Sequence, residues 1–344
     1  MMSHPARMRT TDMGANSTMA PIPNRKTVAL SPWPPAPTTS TTATEDIMYF
    51  KNATIYGLDT ANISAEHLAD KISIRRFQPC GSQDMVSRGW TSPTDDDRFV
   101  LAVTGQFLFS MTVEQKILPA AVINQVAAEK AELIKDQQGY KPGRKQMKEI
   151  KEAVLQELLP KAFTRRKRIF VWIDTHNNLI AIDTPSPRVA EDVIDALRIT
   201  LDALPIELIR TAQSPTAAMT GWLAGGEAPG AFTIDQDCEL RAVTDEKAAV
   251  RYVHHSLDGN DVRDHLAAGK LPTRVALTFD DRVAFVLTDK MVLKRIAFLD
   301  VVKEEAGRQA ETADMQIEAE FALMSGELSR MFKALVEALG GTAT

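Results

Sequence analysis

The run TRVALTFDDRVAFVLT, residues 273–288, limits the fold more than any other stretch of the chain. Val275, Leu277 and Phe279 alternate on one side of Asp280 and Asp281, and Val283, Phe285 and Leu287 on the other. A period of two puts each trio on one face of a strand, and two such runs joined by a short polar turn make an antiparallel hairpin. VLKRIAFLD extends that sheet as a third strand. Upstream, RIFVWID and NLIAID flank THN, whose His176 and Asn177 supply another hairpin turn, and RFVLAVTG and QFLFSMTV read as a strand pair through Gly105. Strands that pair with their chain neighbours, interrupted irregularly by helices, predict an α+β fold with antiparallel sheets rather than a doubly wound parallel one.

The helices follow from the other period. Ser64 caps an expected helix over 64–75. From Pro119 to Leu159 the apolar spacing turns helical, with Val122, Val126 and Leu133 in one arm, Met147, Ile150, Val154 and Leu158 in the next, and QQGYKPGR as the breaker. That pattern predicts a helical hairpin, on whose second arm Arg144, Lys148 and Lys151 share a face. SPRVAEDVIDALRITLDAL reads as a further helix, and a closing helix is expected over about 311–339, ended by Gly340 and Gly341. Between them lies a Gly- and Pro-rich passage near LAGGEAPGA. MYFKNATIYGL is a first-strand pattern, so order is expected to begin near Met48. The first 47 residues are rich in Pro, Thr, Ser and Ala and are read as a disordered extension. The expected units are 48–118 (α+β), 119–160 (basic helical hairpin), 161–225 (hairpin and helix) and 226–344 (sheet and closing helix).

Several function classes drop away. Cys80 and Cys238 are the only cysteines and form no CxxC, and six histidines give no HExxH or HxH, so no metal site and no disulfide framework is expected. No cofactor-binding loop is present: AGGEAP lacks the Lys-Ser/Thr of a phosphate cradle. No run of apolar residues is long enough to span a bilayer, and a cytoplasmic, reduced location is expected, with no membrane partner. In FQPCGSQDMVSRGW, Cys80 sits near Ser82 and Asp84. No base or cation to activate the thiol is visible, so a structured Pro-Gly turn is the expected reading.

The charge is unevenly spread. From Lys130 to Arg168 there are twelve Lys or Arg against five Asp or Glu, inside a chain whose formal charge is −5. On helices such residues can be a solvated face with i,i+4 partners, for example Lys148 with Glu152. Arg165, Arg166, Lys167 and Arg168 differ, because no acid is interleaved and they enter a strand, where alternate side chains fall on opposite faces. A polyanion meeting several faces would suit them. The sequence alone leaves open an enzyme acting on DNA through Cys80, Asp84 or the Asp280-Asp281 pair. It also leaves open a protein scaffold whose basic patch meets an acidic partner.

In order and spacing, MYFKNATIYGL, FQPCGSQDMVSRGW, EQKILPAAVI, LLPKAFTRRKRIFVWID, AEDVIDALRITLDALPI, HLAAGKLPTRVALTFDDRVAFVLTD, LKRIAFLD and FALMSGEL together resemble the bacterial recombination-associated RdgC family. Phe279 stands where the family usually has Trp, and Lys161 replaces an Arg. The family begins at the equivalent of Met48, so residues 1–47 are expected to be an extension or a mis-assigned start. The resemblance implies a ring-shaped homodimer with a basic central hole and a projecting finger, the hairpin at 119–160. It implies no enzymatic activity, but binding of single- and double-stranded DNA without sequence preference, restraint of RecA-driven strand exchange, and a nucleoid-associated location. On that reading the backbone contacts are expected from Lys130, Lys135, Arg144, Lys145, Lys148, Lys151, Arg165, Arg166 and Lys167, and on the C-terminal sheet from Lys270, Arg274, Lys294 and Arg295. Phe163 matches an aromatic position at the family's ring-closing contact.

Overall fold

A computed structural model of the chain describes residues 49–343 except 62, 95, 202–203, 244–247 and 308–312. The expectations for residues 1–47 and for Met48 lie outside the described residues. The strands are β1 (Asn52–Leu58), β2 (Val86–Thr91), β3 (Leu101–Val103), β4 (Gln106–Ile117), β5 (Phe163–Asp174), β6 (Leu179–Ile182), β7 (Ile206–Leu208), β8 (Phe232–Ala242), β9 (Ala249–Tyr252), β10 (Lys270–Phe279), β11 (Val283–Thr288) and β12 (Val292–Phe298). The helices are α1 (Ala65–Ile74), α2 (Ala120–Gln138), α3 (Arg144–Leu158), α4 (Pro187–Leu201), α5 (Pro215–Gly225), α6 (Asn260–Ala267), α7 (Asp300–Gly307) and α8 (Ala313–Ala338).

All twelve strands join one sheet in the order β2-β4-β5-β6-β1-β12-β11-β10-β8-β9, with β3 on β4 and β7 on β1. Its named pairings are antiparallel, as the alternation of residues 273–288 requires. The three-residue loop between β10 and β11 opens with Asp280 and Asp281, both at φ near +50°, and the Arg282 amide closes it by donating to the Phe279 carbonyl at 2.9 Å. Ser64 caps α1 as expected, its hydroxyl accepting from the His67 amide at 3.2 Å.

Two cores lie on opposite faces of the sheet. One is filled by β8 and β10–β12 side chains together with Phe170 and Trp172 of β5, under α5, α6 and α8; the helices contribute Met219, Trp222, Val262, Phe321, Met324 and Leu328 among others. The other holds Ile169, Val171 and Ile173 of β5 under Leu68 and Ile72 of α1 and Val193, Ile194 and Leu197 of α4. β5 is therefore sandwiched, which is why RIFVWID reads as a continuous apolar run and not as an alternation. The second core stops at β1, so no helix of the described residues builds a core on that side of β8–β12. A third, small cluster of Ala127, Ile150 and Val154 joins α2 to α3.

Sequence reading passed over β2, β7, β8, β9, α5, α6 and α7. The stretch read as a Pro-Gly turn is a loop only to Met85, after which β2 begins. The Gly-rich passage opens inside α5, which is capped by Ser214 and ended by Gly226 at φ +81°.

The β5–β6 turn is fastened to α8 by one carboxylate. Buried Asp174 accepts hydrogen bonds from Gln106 Nε2 at 3.0 Å, Asn177 Nδ2 at 2.8 Å, Ser329 Oγ at 2.6 Å and the amides of His176 and Asn177. Burial alone would raise its pKa, but these donors outweigh it and hold the group below the ordinary aspartate value of 3.8. A depressed carboxylate stabilises the fold fully above its unfolded pKa and loses that contribution as pH falls through the folded one. Asp174→Asn is therefore expected to cost about 2 kcal/mol at neutral pH and to flatten the loss of stability below pH ~4. Urea melts over a pH series check both, and an unchanged acid slope would remove Asp174 as its source.

Candidate nucleic-acid interface

β4 and β5 pair over twelve residues, from Gln106 opposite Asp174 to Ile117 opposite Phe163. β6 covers the far edge of β5 only from Val171 to Asp174. Burial follows that geometry: residues 163–168 of β5 are exposed throughout, and 169–174 are buried throughout. The four-residue basic run thus sits where β5 is an edge strand backed by β4 and β2, past the end of β6, and its side chains are exposed on both faces.

The faces are not equivalent. Arg166 and Arg168 share the side of Phe170 and Trp172, whereas Arg165 and Lys167 share the side of Ile169 and Val171. Arg166 donates from Nε to buried Glu114 at 2.7 Å, and its guanidinium stacks 5.4 Å above the Phe77 ring. The Cys80 amide also donates to Glu114, at 2.6 Å, and these two contacts hold that carboxyl below the usual glutamate range. Arg165, Lys167 and Arg168 have no ion pair within 4 Å among the described residues; Lys167 lies within electrostatic range of Asp183.

On the two helices, Lys130 pairs with Glu157 across α2 and α3, Lys135 with Glu132 at 2.6 Å, and Lys148 with Glu152 at 3.7 Å. Arg144, Lys145 and Lys151 are exposed on α3 without such partners among the described residues. Half of the helical candidates are thus held by neighbouring acids.

On the C-terminal sheet the structure divides the four candidates. Register links Val171 to Ile182, Ile182 to Thr54 and Thr54 to Val292, then Lys294 to Val286 and Val286 to Ala276. Residues directly opposite share a face, so Arg165, Lys167, Lys294 and Arg274 all lie on the side where the second core ends at β1. Arg295 joins them through Asp237, at 3.2 Å. Lys270 does not: Lys270 pairs in register with Ala242 on the other side of the bulge in β10, and its ammonium is 2.9 Å from His265 Nδ1 on α6.

Two further arginines, absent from the sequence-based candidates, complete this face. Glu239 of β8, its side chain only 3% exposed, accepts from Arg241 Nε at 2.9 Å, from Arg251 Nη2 at 2.6 Å and from Thr273 Oγ1 at 3.0 Å, with Arg274 Nη1 at 3.7 Å. Burial would raise its pKa, but the arginines and Thr273 bring it down to about 2, so it is a carboxylate at any working pH. Two depressions of about 260 and 440 Å³ flank the Glu239–Arg274 contact. They are lined by six Lys or Arg, including Lys290 and Lys294, against three carboxylates. The alternation Asp235, Asp237, Glu239, Arg241 was the sequence signal for a strand with one polar face.

The residues weighed for chemistry are placed as turn formers. Burial and the Glu114 charge push the Cys80 thiol up, away from a reactive thiolate. Asp84 accepts from the Gly81 amide at 2.8 Å, and Asp280 pairs with Arg330 at 3.3 Å. Phe163, at the tip of β5, is 85% exposed beside Ile117, which is 50% exposed.

The fold and this surface define an α+β protein built on one antiparallel sheet with a cationic face. Residues 48–342 match the RdgC family model, described as "Putative exonuclease, RdgC". Proteins named recombination-associated protein RdgC are 51% identical in Dechloromonas aromatica (strain RCB), 48% in Janthinobacterium sp. (strain Marseille) and 47% in Herminiimonas arsenicoxydans. Each alignment covers 86% of this chain and 98% of the relative. The chain belongs to the RdgC family.

Proposed function

We propose that this protein acts in recombination by binding DNA, single- or double-stranded, without sequence preference, and that it closes around the DNA as a homodimer and restrains RecA-driven strand exchange. The observation that carries the reading is the exposed half of β5, where three of four consecutive cations have no ion-pair partner among the described residues. Lys and Arg neutralising phosphates release counterions, which gives affinity that ignores sequence and falls steeply with salt. The names of the relatives support the recombination setting.

The pair α2–α3 has its own core, apart from the two cores of the sheet, which supports the finger reading. Phe163 and Ile117 leave apolar surface exposed beside it, which supports a contact between copies. No helix of the described residues is long and apolar enough to cross a membrane, and a nucleoid-associated location belongs to this proposal.

The test is fluorescence anisotropy with two unrelated duplexes and one single strand across a salt series. Similar affinities that fall together as salt rises are expected; no binding at low salt would overturn the reading. The word exonuclease in the family description poses a separate question. Among the described residues no group of three or more His, Cys, Asp or Glu is placed to hold a metal ion. Incubation of labelled linear DNA with Mg²⁺ or Mn²⁺ is expected to leave it intact, and shortened products that persist through purification would show an enzyme instead.

A further inference from the structure

We infer that Glu239 is a positioning residue for phosphodiester binding: one buried carboxylate that fixes Arg241, Arg251 and Arg274 as a donor array on the cationic sheet face. The inference rests on the DNA-binding reading and adds to it a site away from the β5 run.

A structural ion pair needs one cation for one carboxylate. Here three guanidinium groups from three strands converge on Glu239, leaving an excess of two positive charges. The arginine side chains are 47, 63 and 43% exposed, while the carboxylate is buried. Each guanidinium carries five N–H donors in a planar fork, and Glu239 engages only one or two of them on Arg241 and Arg251. Among the described residues the remaining donors have no hydrogen-bond partner and are held in place, which is how a planar fork recognises phosphate oxygens at low entropic cost. Lys290 and Lys294, lining the neighbouring depression, add to the repulsion that an anion would relieve. Thr273 holds the fourth side of the carboxylate, so Glu239 has no capacity left over for a ligand of its own.

The sign of one substitution separates positioning from simple charge. Glu239→Gln removes a negative charge from a polyanion-binding face, and charge addition alone would tighten binding. Positioning predicts the opposite: the dissociation constant should rise about tenfold and the salt slope should fall by about one. Asp289→Asn is the charge-matched control, an exposed turn residue lining the same depression, and should bind DNA at least as tightly as the wild type. Arg251→Lys keeps the charge but loses the fork. It should weaken binding about threefold at an unchanged melting temperature, and it carries the test if Glu239→Gln melts early.

The readout is anisotropy on one duplex over a salt series, with thermal melts of each variant. A folded Glu239→Gln that binds as tightly as Asp289→Asn, or Arg251→Lys that binds like the wild type, would overturn the inference and leave the DNA-binding reading standing. A wild type that binds no DNA would remove both.

Discussion

The double reversal Arg165→Glu and Lys167→Glu is expected to lower DNA affinity about a hundredfold at 0.1 M salt and to reduce the salt slope by about two. The size follows from counterion release: each lost phosphate contact takes about 0.9 from the exponent of salt, hence roughly 0.9 log units of affinity at 0.1 M relative to 1 M. Repulsion from the new carboxylates adds to that loss. Arg165 and Lys167 are the right pair because they share one face of β5, the side on which Lys294 and Arg274 also lie. Arg166 is excluded for a physical reason. Its guanidinium sits 2.7 Å from buried Glu114, and a glutamate there would set two carboxylates together, so a binding defect could not be told from a folding one. Because residues 163–168 are exposed, the double variant should melt with the wild type. An unchanged affinity and slope would mean that the run is only solvated.

The basic run and its alternation between two faces were legible in the sequence, but the neutralisation of Arg166 was not. It depends on β4 running opposite β5 in one register out of several that are possible. The hairpin over 273–288 was legible because its large apolar residues alternate with smaller or polar ones such as Arg274, Ala276, Thr278 and Ala284, so the period of two survives; the buried half of β5 lost that period because both its faces are covered by core. β2 was hidden by Gly89, which weakens a strand pattern. A Cβ there would fall 2.4 Å from Phe77 Cα, so glycine is required where the backbone of residues 75–77 crosses Trp90. The cluster at Glu239 could not be read locally at all. Arg241, Arg251 and Arg274 come from three strands, and only the pairing of β8 with both β9 and β10 brings them to one carboxylate. Local periods therefore reveal elements and runs, whereas a site assembled across strands needs the register.

Phe163→Ala is expected to open the proposed ring at the Phe163 contact and so to weaken the pairing of the two copies. A phenyl that is 85% exposed contributes little to the stability of its own chain, and burying it against a second copy is worth about 1.5–3 kcal/mol. In a two-fold contact the same residue acts twice, so the loss is about 3–6 kcal/mol and the dimer dissociation constant should rise about 10²- to 10⁴-fold. Sedimentation equilibrium measures the shift, and a thermal melt of the monomer should be unchanged. The consequence for DNA depends on topology. If the dimer encloses its ligand, the wild type should survive a high-salt challenge on a closed circle far longer than on a short linear duplex, because phosphate contacts are screened while a closed ring still has to open. Phe163→Ala should abolish that difference between circle and line while leaving low-salt binding nearly intact. Equal lifetimes for the wild type on both substrates would rule out enclosure. A variant whose dimer dissociation constant is unchanged would place the contact elsewhere than at the tip of β5.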